Sequence, residues 1–432
     1  MAQFMIKAER EPIIALIKRE VIPAIGCTEP MAVALCVAKA TEIVGEEPKS
    51  IDISLSANIL KNAMGVGIPG TGMIGLPIAV ALGALIGKSS YRLEVLKDCT
   101  PQAVERAKRY MDEKRIHIAL KGDITEKLYI EVRCKTDDKE GTAIISGGHT
   151  DFVYLASDGH ILLDKRQKTV ECKEKEDLEL TLRKVYDFAV TAPLDEIHFI
   201  LDAARLNKAA AEQSFKGNYG HALGKTLQGT FGNKIIGDSV FSHILSYTSG
   251  ACDARMAGVM IPVMSNSGSG NQGISATLPV LIYAEENGKS EDELVRALIL
   301  SHLTVIYIKQ NLGRLSALCG CVVAATGASC GITRLMGGNY VQVSFAIQNM
   351  IANLTGMICD GAKPSCALKV STGVSTAVLS AIMAMENHCV HSVEGIIDED
   401  VDKSIKNLTR IGLCGMNETD KIILNIMTGK KS

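Results

Sequence analysis

The chain reads as an α+β protein, a large Ala/Gly-rich helical lobe with an α+β lobe inserted near its N-terminus. Three observations predict this. Residues 5–20 and 30–44 carry apolar side chains at helical spacing. Residues 49–175 hold short β-rich segments separated by polar turns, and from 176 to 432 the texture becomes Ala- and Gly-rich with a helical rhythm. The expected organisation is an N-terminal helical pair over 1–48 packed on the C-terminal lobe, an inserted α+β lobe over 49–175, and a helical lobe over 176–432 that carries the chemistry.

Each element follows from local pattern. Ile13, Ile14, Leu16 and Ile17 make the first helix amphipathic, and Pro23 and Gly26 interrupt the chain after it. The second helix runs from about Pro30 to Val44 with Thr28 as expected N-cap; it is apolar nearly all round and should be buried. Residues 51–55 alternate with period two, as a half-buried strand does. The stretch 73–87 is strongly apolar but only about 15 residues long, short of the roughly 20 that span a membrane, so it reads as a core helix. Residues 101–114 read as a surface helix. Strands are expected at 116–120, 128–134, 142–146, 152–155 and 161–163, and the charged run 171–179 as a solvated linker or helix start.

Composition excludes several classes. The formal net charge is −2, aromatics are 4% and tryptophan is absent, so no basic, stacking surface for nucleic acid or anionic membrane is expected. Thirteen cysteines, odd in number and unevenly spaced, do not form a disulfide framework, and a reducing cytoplasm is the expected location. The N-terminal residues lack the apolar run of a signal peptide. Association into a homo-oligomer is left open.

Three cysteines carry the chemistry. Cys359 and Cys366 lie in Ile-Cys-Asp-Gly-Ala-Lys-Pro-Ser-Cys over 358–366, where Gly361 and Pro364 argue for an irregular loop. The third is Cys319 or Cys321, on what reads as a buried helix; residues two apart on a helix face different ways, so one of them is expected to join. Three thiolates from two segments suit an iron–sulfur cluster with one iron left open to substrate. Zinc is the competing metal, without its usual CxxC spacing, and plain core packing competes for any single cysteine.

Other groups supply candidate binding and proton-transfer chemistry. Cys27 precedes a helix N-terminus, which favours thiolate and so a base; an inert thiol at a loop–helix junction is the alternative. The loop Ser-Asn-Ser-Gly-Ser-Gly-Asn-Gln-Gly over 265–273 precedes an apolar helix, and is expected to grip a carboxylate with Asn266, Ser267, Ser269 and Asn271. Arg255 adds charge there or forms a surface ion pair. Gly65, Gly67 and Gly70 match the dinucleotide fingerprint, but they follow a helical stretch and Pro69 breaks what comes next, so a turn directing Lys61 or Asn62 to the site is preferred. The nine histidines show no metal spacing; His149, on a Gly-Gly turn, is the first choice for a functional one.

With these segments in view, the chain resembles the L-cysteine desulfidase family, related to the iron–sulfur L-serine dehydratases. The resemblance covers nearly the whole length and is carried by 25–30, 61–71, 265–273, 318–321 and 358–363 in that order. It implies a [4Fe–4S] cluster held by Cys319, Cys359 and Cys366, with Cys321 as alternative to Cys319, and Cys27 as base. The implied reaction is α,β-elimination on a small L-amino acid, from L-cysteine to pyruvate, ammonia and sulfide, or from L-serine with loss of water. Two other readings stand beside it: a pyridoxal-phosphate lyase with Lys216 as Schiff-base lysine, and a non-catalytic iron–sulfur sensor.

Overall fold

The computed structural model describes residues 4–122, 124, 126–166, 178–313 and 316–430. The fold is α+β with a mostly helical body. Six strands form one sheet in the spatial order Ile116–Leu120, Ser50–Leu55, Tyr129–Lys135, Glu140–Ser146, Phe152–Ser157, His160–Asp164. Ser50–Leu55 and Ile116–Leu120 run parallel, the rest antiparallel. Ile51, Ile53 and Leu55 are buried while their neighbours are half-buried, which is the period-two pattern read from the sequence. Most of the charged run 171–179 lies outside the described residues.

The Thr28–Val44 helix crosses Tyr129–Lys135 and Glu140–Ser146 and packs against Leu76–Ile86 on its other side. Sandwiched so, it has almost no wet face, which explains its uniformly apolar composition. It begins at Thr28, with Cys27 in the capping position, rather than at Pro30 with Thr28 as cap. The sequence groups this helix with the C-terminal lobe, but its core partners are those of the sheet. Lys7–Glu20 does join the larger helical core, through Ile13, Leu16 and Ile17.

Gly320–Leu335 is the axis of the helical body. It packs against Gly270–Glu286, Glu291–Leu312, Tyr340–Leu354 and Cys366–Met385. Its small residues Ala324, Ala325, Gly327, Ala328 and Gly331 are buried and let those neighbours approach on several sides. Cys366–Met385 is one helix long and apolar enough to cross a membrane by composition. However, 56% of its most apolar window is buried, with Val370, Val374, Ala377 and Ala381 in the core and Leu368, Leu379 and Ile382 outside.

Two connections bring the halves of the site together. Pro23–Ile25 pairs antiparallel with Pro262–Met264, which seats Cys27 beside the 265–273 loop. At the other end of the chain, Asn417–Thr428 returns to the Ala57–Ala63 helix and places Leu424 in the sheet core.

Candidate active site

One cavity collects side chains from both cores. Cys27, Glu29 and Asn62 line it together with Arg255, Ser269, Asn271 and Gln272, and with a thiol wall of Cys319, Cys321, Cys359 and Cys366. His149 reaches the same cavity from the turn between Glu140–Ser146 and Phe152–Ser157.

The thiol wall is built by backbone pairing. Cys319 N–H donates to Met357 O at 2.9 Å and Cys359 N–H to Ala317 O at 2.6 Å, so the two strand-like pieces hold Cys319 and Cys359 in fixed register. Cys319 is the extended residue before Gly320–Leu335 and Cys321 lies in its first turn; both therefore line the cavity, contrary to the expectation that a helix would turn one away. Cys359 sits in the expected loop, whereas Cys366 opens the Cys366–Met385 helix. Between them Gly361 has φ +93°, and a Cβ there would lie 2.2 Å from Lys61 O, so backbone geometry and space both require glycine.

Cations surround these thiols. Lys61, 2% exposed, pairs with Asp420 and donates to Cys359 O at 3.3 Å. Lys369 donates to Ile358 O at 2.9 Å and pairs with Asp360, which Lys363 also bridges at 2.7 Å. Burial pushes the Cys359 thiol up while Lys61 and Lys369 pull it down. A hydrogen bond from Cys321 lowers Cys319 against its burial, and raises Cys321 in turn. Burial opposes ionisation of Asp360, but its two lysines hold its pKa at about 2.

Cys27 lines the same cavity as a thiol. Its Sγ donates to Glu29 Oε2 at 3.1 Å, and burial together with the Glu29 carboxylate pushes its pKa far up, with Arg255 opposing. That reverses the expectation of a thiolate at a helix N-terminus: removal from water outweighs the helix dipole. Glu29, 8% exposed, also accepts from Thr28 Oγ1 at 3.1 Å and Asn62 Nδ2 at 3.5 Å.

Arg255 is buried, which removes the surface ion pair as an explanation. It donates to Asn271 Oδ1 and to Gly26 O, each at 3.0 Å, and so joins the substrate loop to the residue preceding Cys27. Gly270 makes room for it, since a Cβ there would stand 2.3 Å from its Nε.

The 265–273 loop divides its residues between cavity and scaffold. Ser267, Ser269 and Asn271 line the cavity, and Ser269 also caps Gly270–Glu286 by accepting from Gln272 N–H at 3.5 Å. Asn266 does not belong to the wall. It is fully buried and donates to His302 Nδ1 at 3.0 Å and His302 O at 3.1 Å, so it fastens the loop from behind. Lys61 likewise acts behind the wall, and Asn62 on it; both lie on the Ala57–Ala63 helix rather than a turn. A helix, not a strand, thus precedes the glycines of 65–70, in keeping with rejection of the dinucleotide reading. Lys216 is exposed at the end of Leu201–Phe215, outside the cavity.

Glu29, Gln272 and Lys309 line the cavity without having been singled out in the sequence. An acid in the first turn of a helix is ordinary, so only its place two residues after Cys27 pointed to Glu29.

Residues 90–425 match the family described as serine dehydratase alpha chain. The chain belongs to the serine dehydratase alpha-chain family. It is 78% identical over 426 residues to a UPF0597 protein of Bacteroides fragilis, covering 99% of this chain and 100% of that one. A UPF0597 protein of Porphyromonas gingivalis is 55% identical over 428 residues (98% and 99% covered), and one of Aeromonas hydrophila 43% over 434 (100% and 99%). Membership makes this, at family level, a dehydratase-type lyase fold, typically associated with an iron–sulfur cofactor. Cys27, Glu29, Lys61 and Asn62 precede the matched segment, while every cavity cysteine on the thiol wall falls within it.

The donor atoms of the thiol wall are of the type that cofactor takes. Among the described residues no three His, Cys, Asp or Glu side chains are close enough to hold one metal ion. A single zinc needs its sulfurs about 2.3 Å from one point, whereas a cluster takes one thiolate per iron around a wider core. The thiol wall offers soft ligands only, backed by Lys61 and Lys369, whose charge favours thiolates.

Proposed function

We propose that the protein catalyses α,β-elimination on L-cysteine, yielding pyruvate, ammonia and sulfide. The observation that carries this reading is the single cavity lined by the hydrogen-bonded Cys27–Glu29 pair, by the Arg255–Asn271 pair and by Cys319, Cys359 and Cys366. Those three cysteines would hold a [4Fe–4S] cluster, with Cys321 supporting Cys319 by hydrogen bonding. When bound, the cluster supplies an open iron that acts as Lewis acid toward the β-substituent. In this reading the helical lobe over 176–432 binds cluster and substrate, and the lobe over 49–175 closes the site through His149.

The chain's own residues do the rest. The buried Arg255 and the first N–H groups of Gly270–Glu286 attract the substrate carboxylate, with Ser267, Ser269 and Asn271 beside them. Cys27 removes the Cα proton. Because its thiol is protonated at rest, it first passes its own proton to Glu29 Oε2, 3.1 Å away, so the base is the pair. The Cα–H electrons form the Cα=Cβ bond as the Cβ–S bond breaks and sulfur leaves with its electron pair. The aminoacrylate becomes an imine by taking a proton at Cβ, and water hydrolyses it to pyruvate and ammonia.

L-Serine is the second reading, favoured by the family description, with water leaving in place of sulfide. A pyridoxal enzyme has no support from Lys216, whose exposed position lies away from the cavity. The test is protein purified without oxygen, assayed for iron, acid-labile sulfide and pyruvate release from both amino acids. Equal sulfide and pyruvate from L-cysteine is expected; iron-bearing protein that turns over neither substrate would overturn the proposal and favour a sensor.

A further inference from the structure

We infer that Gln272 recognises the substrate's α-ammonium group through its side-chain oxygen. The inference rests on the amino-acid elimination reading and adds a specificity residue to it. Gln272 is 4% exposed and lines the cavity, yet its Oε1 is buried and has no hydrogen-bond partner among the described residues. Its amide lies over Gly320, where an added Cβ would come within 3.0 Å of Cδ, and so stands between the backbone positions of Cys319 and Cys321. A buried amide oxygen without a donor is costly, and such groups in native proteins are completed by a ligand or water.

The chemistry narrows the ligand. An amide oxygen only accepts, so it offers nothing to a carboxylate, a thiolate or a cluster sulfide, whereas an ammonium brings three donors. The carboxylate that lines the cavity is already engaged: Glu29 receives Cys27, Thr28 and Asn62. Gln272 belongs to the first turn of the helix whose N-terminus attracts the carboxylate, and neighbours the thiol wall on its other side. An α-amino acid held there has its carboxylate at the helix end, its ammonium on Gln272 and its β-substituent toward the cysteines.

The test uses cluster-loaded protein under anaerobic conditions and two ligands without a β-leaving group, L-alanine and propionate. Calorimetry or competition against L-cysteine turnover gives their affinities. Gln272→Met should weaken L-alanine about ten- to hundred-fold while propionate changes less than about two-fold. Gln272→Glu keeps an acceptor, so it should hold L-alanine and weaken propionate through like charge. Equal weakening of both ligands by Gln272→Met, or no change in either, means a packing role or a water-satisfied amide and overturns the inference. Wild-type protein that binds neither ligand would instead sink the elimination reading itself.

Discussion

The Cys27 thiol donates to Glu29 Oε2 at 3.1 Å in a buried helix N-terminus, and Arg255 holds the carbonyl of the preceding Gly26 at 3.0 Å. Proton removal by Cys27 therefore depends on Glu29 being able to accept. Cys27→Ala and Glu29→Gln are each expected to slow α-proton exchange with deuterated solvent by about 10²–10⁴-fold while leaving cluster absorbance intact. Wash-in at the wild-type rate in Glu29→Gln would show that Cys27 works without it.

Lys61 ties the chain's C-terminal helix to the thiol wall, since it pairs with Asp420 while donating to Cys359 O. Lys61→Met keeps the bulk but strands both partners. Removing one member of a buried pair costs about 3–5 kcal/mol, and Asp420 is 21% exposed, so about 1–3 kcal/mol is expected here. Iron content after anaerobic purification should fall along with the thermal midpoint. Full iron occupancy in a stable Lys61→Met protein would remove its role in fixing the loop.

Gly361→Ala probes the same loop from its backbone. The position needs φ +93° and has Lys61 O where a Cβ would go, so the loop must shift and carry Cys359 with it. Cys359→Ala and Cys366→Ala should lose iron outright, Gly361→Ala in large part, and Cys321→Ser little. Iron retained in both Cys359→Ala and Cys366→Ala would refute the ligand assignment, which metal analysis and visible absorbance would show together.

Periodic features were legible in the sequence, and long-range partnerships were not. The alternation at Ile51, Ile53 and Leu55 follows from a half-buried sheet, and the apolar 73–87 stretch forms the core helix Leu76–Ile86. The same apolarity did not say which layer Thr28–Val44 would join, because a helix without a wet face fits either core. In the site, residue types marked the cysteines and the glycine-rich loop. Which loop side chains face the cavity depends on Ser267 at φ +47°, a turn that sends Asn266 inward to His302. For Arg255 the choice between charge in the site and a surface ion pair stayed open, because its partner Gly26 is 229 residues away in sequence.

His302 gives the fold a pH dependence of definite sign. Burial lowers its pKa from 6.5 to about 3, so the ring is neutral. Its Nδ1 accepts from Asn266, which leaves the proton on Nε2 to donate to Thr277 Oγ1 at 3.0 Å; that hydroxyl donates in turn to Gly273 O at 2.7 Å. The unfolded chain takes up a proton near pH 6.5 that the folded chain refuses. The stabilising contribution is thus complete above 6.5 and is lost as pH falls toward about 3. At pH 4.5, about two units below the unfolded value, the loss is about 3 kcal/mol. His302→Gln can still accept from Asn266 but does not titrate. It should be less stable than wild type at pH 7.5, and the gap between their denaturation midpoints should close or invert by pH 4.5. A gap that stays constant over that range would mean His302 is not buried as a neutral ring.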